Sequence, residues 1–154
     1  MNALALTFRA ETSPYDGIIY VSARLLVDGI DLISQGDGVD LTELLASMDG
    51  DGEFFILTCG CGDAGCGGYF EGVRVRHERG IHWELPGRSV SEPARQFEFS
   101  SSGYTSAIKS GIAAGKQLVH ALLTTKHNVY PCTNHAILGD DCAADSLEAH
   151  PPRL

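Results

Sequence analysis

The 154-residue sequence contains no apolar run approaching the roughly 20 residues that a bilayer-spanning helix needs, so no membrane span is expected. Positive charge is scarce. Eleven Lys and Arg stand against 20 Asp and Glu, for a formal net charge of −9. A nucleic-acid binder neutralises phosphates with cations, and this chain lacks them. The five cysteines are odd in number and unevenly spaced, a poor basis for a disulfide framework. The opening "MNALALTFRAE" has no basic start, long apolar core or cleavage site, and does not read as a signal peptide. A cytoplasmic protein is therefore expected. No nucleophile elbow and no H-E-x-x-H metalloprotease motif occurs. "SGIAAGKQL" fails as a phosphate-binding loop: it is one residue short between Gly111 and Gly115, and Gln117 replaces the hydroxyl that would hold magnesium.

What remains has the balance of one globular domain with a real core, 44% hydrophobic and 20% charged. "ALALTF" alternates Leu4, Leu6 and Phe8, the period of a half-buried strand. In "GIIYVSARLLVDGIDLI" the pair Asp28-Gly29 is a type I′ turn signal, pairing Val27 with Ile30 and Leu25 with Leu32 on one face. "GDGVDLTELLASMDGDG" predicts a short helix capped by Asp40, with Glu43 closing a capping box and Leu41, Leu44, Leu45 and Met48 forming one stripe. "EFFILTC" is apolar on both faces and predicts a central strand.

"YFEGVRVRHERGIHWEL" predicts a second hairpin with a Glu78-Arg79-Gly80 loop, Gly80 taking the left-handed position. Val75 then faces Trp83 and Val73 faces Leu85 on the buried side, with Arg74 opposite Glu84 and Arg76 opposite His82 outside. A strand at Phe97-Glu98-Phe99 leads to a long helix capped within Ser100–Ser102. Tyr104, Ile108, Gly111, Ile112, Gly115, Leu118, Val119 and Leu122 share its apolar face, and the two glycines permit close approach to a sheet. The expected fold is α+β: a mostly antiparallel sheet of about six strands, packed by one short and one long helix. Residues 1–125 form the domain, and 126–154 form a C-terminal tail or extension in which the patterning dissolves.

Chemistry concentrates in "CGCGDAGCGG", residues 59–68, with three cysteines and five glycines. Zinc takes four N or S ligands in a tetrahedron. Cys59-x-Cys61-x4-Cys66 offers three on a turn tight enough to converge them, although the usual C-x2-C knuckles are absent. The fourth ligand must come from elsewhere, among His77, His82, His127, Cys132, His135 and Cys142. His77 faces inward in the hairpin register and is the first candidate. A thiol-redox role is the second reading, weakened because a Cys-x-Cys disulfide is strained and easily reduced. The plainer reading, ahead of both, is a compact strand-to-strand turn whose small cysteines fill space. An acid–base set from His77, His82, Glu78 and Glu84 has simpler explanations, a turn and the wet face of a hairpin.

Asp28-Gly29-x-Asp31-Leu32, the Cys59-x-Cys61-Gly62-x-x-Gly65-Cys66 loop, Trp83, Phe97-x-Phe99 and Tyr104 occur in the order seen in a widespread family of small uncharacterised bacterial proteins, which the chain resembles over roughly residues 18–125. Ser100 stands where that family commonly has Asp, and both can cap a helix. The resemblance implies an established fold with a shared Cys loop, and it carries no activity. Size, acidity and the lack of a catalytic constellation lean away from an enzyme. They favour a protein-binding module of the immunity or antitoxin kind, with an acidic surface for a basic toxin as partner. The alternative is a zinc-stabilised or thiol-redox protein centred on Cys59, Cys61 and Cys66, with zinc as cofactor.

Overall fold

The computed structural model describes residues 1–33, 37–125, 128–132 and 134–139, with only the backbone of His135. Strands β1 (Leu4–Thr12) and β2 (Ile19–Val27) pair antiparallel along their whole length, from Leu4 opposite Val27 to Thr12 opposite Ile19. Alternate residues of β2, from Ile19 through Val27, are buried, as a sheet with one covered face requires. Asp28 and Gly29 turn the chain at φ 52° and 79°, the left-handed values of a type I′ turn. The short β3 (Ile30–Asp31) then pairs Val27 with Ile30 as expected. Leu25, Val27 and Leu32 enter the core, while Ile30, beside the turn, is 67% exposed.

β4 (Asp37–Val39) leads into α1 (Leu41–Ala46), whose N-terminus is capped by Asp40 Oδ1 accepting from Thr42 N and Glu43 N at 2.8 and 3.1 Å. The capping box does not close. Glu43 Oε2 accepts the N–H of Phe55 at 2.9 Å, and the N–H of Asp40 goes to the Ile56 carbonyl at 2.8 Å. These two bonds explain a second difference, because they draw the backbone of Phe55 and Ile56 away from any sheet. The apolar run expected as one central strand is therefore split into β5 (Gly52–Phe54) and β6 (Leu57–Cys59), which belong to different sheets.

β7 (Val73–His77) and β8 (Ile81–Leu85) form the second hairpin in the expected register, Val75 opposite Trp83 and Arg74 opposite Glu84. Gly80 plays another part than the one expected. It is not in the left-handed region, and a Cβ there would lie 2.6 Å from the Phe99 carbonyl oxygen, so the missing side chain lets the neighbouring strand approach. That neighbour is β9 (Arg95–Phe99), which completes the order β5-β7-β8-β9. The other sheets are β4-β6 and β1-β2, with β3 on β2 and a further short strand, Val129–Tyr130, on the edge of β2 away from β1. Asn2 ties two of them together: its N–H donates to the Glu98 carbonyl at 2.6 Å, and its Oδ1 accepts the N–H of Glu98 at 2.8 Å. The α+β class is as expected, with the strands among the described residues divided among three hydrogen-bonded sheets.

α2 (Ser101–Thr124) starts at Ser100, whose Oγ accepts from Gly103 N at 3.1 Å, and buries the face that the periodicity marks. Gly111 and Gly115 seat it against β1, where added Cβ atoms would lie 2.5 Å from Leu6 Cβ and 2.6 Å from the Phe8 ring. Trp83, Phe99 and Tyr104 form an aromatic cluster with centroids 5.4–5.7 Å apart, at the centre of the core. Beyond residue 125, β10 (Val129–Tyr130) adds to β2 in parallel, and α3 (His135–Leu138) buries Leu138. Asn134 is buried, donating to the Val39 carbonyl and accepting from Leu41 N, each at 3.0 Å.

Candidate metal centre

The loop between β6 and β7 is organised by one acidic residue. The Asp63 carbonyl oxygen accepts from Cys59 N at 3.1 Å and from Gly67 N at 3.3 Å, and its Oδ1 accepts from Cys66 N at 3.3 Å. Both ends of the cysteine segment are thereby drawn to the same point. Gly67 is required there, because a Cβ would lie 2.8 Å from Cys59 N. Gly62 and Gly68, at φ 91° and 78°, make the left-handed bends that return the chain to β7.

This folding brings the sulfurs of Cys59, Cys61 and Cys66 within 4.8 Å of one another, close enough to hold a metal ion. Cys59 is the least exposed of the three, while Cys61 and Cys66 face solvent. Cys61 N donates to Cys59 Sγ at 3.1 Å, a contact that stabilises negative charge on that sulfur. The Cys59 and Cys61 sulfurs stand at disulfide separation, with Cα atoms 5.3 Å apart, and Cys66 carries a free thiol. Two chemistries are open to the same atoms. As three thiolates they form a soft donor set suited to zinc, and as a disulfide plus a thiol they form a redox-active group.

A clamp holds the far side of the loop. Arg88 donates to the Gly67 carbonyl at 2.8 Å, to Asp37 Oδ2 at 3.2 Å and to Glu92 Oε2 at 2.6 Å. Its guanidinium lies 4.2 Å from the centre of the Tyr69 ring, and the Tyr69 hydroxyl donates to Asp37 at 2.9 Å. Burial, then the hydrogen bond to Asp37, holds the Tyr69 hydroxyl far above the ordinary tyrosine range. Burial pulls the Arg88 guanidinium down, and the Glu92 bond with the charges of Tyr69 and Asp37 more than offsets it, so its charge is secure. A cleft of about 260 Å³ opens beyond this clamp, lined by Ile33, Leu57, Tyr69, Leu85, Arg88 and Glu92.

Among the described residues, the group able to hold a metal consists of the three cysteines. The His77 ring is engaged elsewhere: its Nε2–H donates to the carbonyl of buried Ser47 at 3.0 Å, and its backbone N–H donates to Asp51. His82 lies on β8 opposite Glu98 and Arg76. Cys132 is half-buried, and burial pushes its thiol up. His127, Cys142 and the side chain of His135 lie outside the described residues. Asp63 and Arg88 are the supporting residues that motif reasoning passes over. Gly60-x-Gly62-x-x-Gly65 has the letters of a dinucleotide loop, but it runs into β7 and not into a helix N-terminus, so the phosphate-binding geometry is absent. No family model, curated protein or solved structure matches the chain.

Proposed function

We propose that the chain binds a soft divalent cation of the zinc class through the thiolates of Cys59, Cys61 and Cys66. The observation that carries the reading is the convergence of the three sulfurs within 4.8 Å. Zinc–sulfur bonds of about 2.3 Å in a tetrahedron set sulfurs about 3.8 Å apart, so the Cys59 and Cys61 sulfurs, which stand at disulfide separation, must part on reduction while Cys66 stays near them. The ion would join the end of β6 to the segment entering β7, cross-linking two sheets that the split apolar run leaves separate. A fourth ligand would have to come from water or another group, and the exposure of Cys61 and Cys66 would leave the ion accessible to it. The role supported is metal-dependent stabilisation of the loop.

Elemental analysis of the reduced, purified chain tests this. About one zinc per chain is expected, lost in Cys61→Ser together with part of the thermal stability. Metal-free protein whose stability is unchanged in that variant would overturn it.

A second reading, binding of a protein partner, is favoured by exposed apolar side chains beside the loop. Phe70, just past Gly68 and Tyr69, is 81% exposed, and Val90, at 102%, lies in the segment that Arg88 ties to Gly67. With a net charge of −9, a basic partner such as a toxin suits this surface. A Phe70→Ala, Val90→Ala variant should lose a partner recovered by cross-linking in the native host. Recovery undiminished in that variant removes the support.

A further inference from the structure

We infer that the Cys59–Cys61 pair is a redox-operated release for the metal held by the three cysteines, closing into a disulfide that discharges the ion. The inference rests on the metal-binding reading above and adds the regulation of that site. Metal ligation uses the charged thiolate form of cysteine, and a disulfide sulfur carries no such charge. The same two sulfurs therefore cannot serve both purposes at once. The Cys59 and Cys61 Cα atoms are 5.3 Å apart, inside the range of about 4.4–6.8 Å that disulfides span. They reach that separation in the same loop arrangement that keeps Cys66 within 4.8 Å, so the exchange needs no unfolding.

The frame around the sulfurs is independent of them. Asp63 holds the backbone at Cys59, Cys66 and Gly67, and Arg88 holds the Gly67 carbonyl, and none of these bonds uses a sulfur. Cys66 is left as a lone thiol after closure, and a single sulfur does not retain zinc at ordinary concentrations. Exposure of Cys61 gives an oxidant a path to the pair.

A hydroperoxide is the oxidant class that fits. One thiolate attacks the peroxide oxygen, the O–O bond breaks, and a sulfenic acid forms as the leaving oxygen takes a proton from solvent. The second thiolate attacks the sulfenic sulfur, the S–S bond forms, and the hydroxyl leaves with a second proton as water. Two thiolates, one hydrogen peroxide and two protons become one disulfide and two waters. The zinc ion departs with water in place of its sulfurs.

The test uses the full chain, reduced, loaded with zinc alone and desalted, then treated with hydrogen peroxide. Zinc release is followed with a chromogenic chelator, and disulfides are mapped by mass spectrometry without reduction. About one zinc released for each Cys59–Cys61 bond, with uptake restored by a thiol reductant, is the expected result. Cys66→Ser, oxidised in its metal-free form, should still form that bond, and Cys59→Ser should not form it. Zinc retained while the bond forms, a bond that includes Cys66 or Cys132 instead, or release without any disulfide would each overturn the release mechanism and leave metal binding standing. Failure of the reduced chain to take up zinc overturns both.

Discussion

Asp63 Oδ1 accepts the backbone N–H of Cys66 at 3.3 Å, and the Asp63 carbonyl oxygen accepts that of Cys59 at 3.1 Å. One residue thus relates the third sulfur to the first, with its side chain holding the Cys66 end and its backbone the Cys59 end. Groups that orient ligands typically contribute 10–100-fold to metal affinity, and Asp63→Ala should weaken zinc binding by about that factor. The residue is exposed, so the melting of the metal-free chain should move by no more than about 0.5 kcal/mol. A competition titration against a chromogenic chelator measures the first effect and thermal denaturation the second. Unchanged affinity would remove Asp63 from the positioning role.

The core contains a directional hydrogen-bond chain: Trp83 Nε1 donates to Tyr104 Oη at 3.1 Å, Tyr104 Oη lies 2.6 Å from Ser47 Oγ, and Ser47 Oγ donates to the Leu44 carbonyl at 2.6 Å. Burial pushes the Tyr104 hydroxyl up to about 12, with the Ser47 and Trp83 bonds pulling the other way. Its folded value lies above the unfolded 10.0, so the un-ionised hydroxyl favours the fold. That contribution is complete below pH 10 and is lost as pH rises toward 12. The alkaline loss assigned to Tyr104 is about 2–3 kcal/mol. Tyr104→Phe should cost about 1–3 kcal/mol at neutral pH by orphaning the Trp83 N–H, and should then show a flatter decline above pH 10. Urea denaturation of both proteins from pH 8 to 11.5 compares the slopes, and parallel curves would refute the assignment.

What the sequence discloses is what local chemistry decides. Asp28-Gly29 determines its own turn, and the register of β7 with β8 follows from alternation and loop length alone. The buried face of α2 follows from a 3.6-residue period unbroken through Leu122. The split of "EFFIL" is invisible there, because Glu43 and Asp40 compete for its backbone only once α1 is docked. Gly80 marks a turn by its letter but serves to clear the Phe99 carbonyl, and one letter cannot distinguish those uses. At the site, glycine spacing announces the convergence of the three sulfurs. Asp63 is one acid among many, and Arg88 meets Gly67 only through tertiary structure, so neither support carries a motif.

Gly111 offers a test of helix–sheet fit in which two effects oppose. Alanine would raise helix propensity by about 1 kcal/mol. Its Cβ would also lie 2.5 Å from Leu6 Cβ and 2.7 Å from the Leu6 carbonyl oxygen, and that backbone belongs to a strand paired along its whole length. Overpacking should win, with Gly111→Ala destabilising the chain by about 1–3 kcal/mol. Ser110→Ala, on the exposed face of the same turn, should be neutral or slightly stabilising. Chemical denaturation of the pair decides it, and a stabilised Gly111→Ala would mean that α2 rides further from β1 than the structure has it.

Asn134 lies beyond residue 125, where the sequence pattern fades, yet its side chain is 4% exposed and spans Val39 O and Leu41 N. It satisfies the carbonyl leaving β4 and an N–H in the first turn of α1. Truncation to alanine strands both groups in a buried place and should cost about 2–4 kcal/mol. Asp40→Ala removes the bonds to Thr42 N and Glu43 N at a more exposed position, where water can replace them, and should cost about 1 kcal/mol. The ranking is the measurable point. If Asn134→Ala proves the milder of the two in urea denaturation, the segment carrying β10 and α3 is an appendage to the fold. If it is the more severe, that segment is part of the folded unit, and α1 owes its position as much to Asn134 as to its own cap.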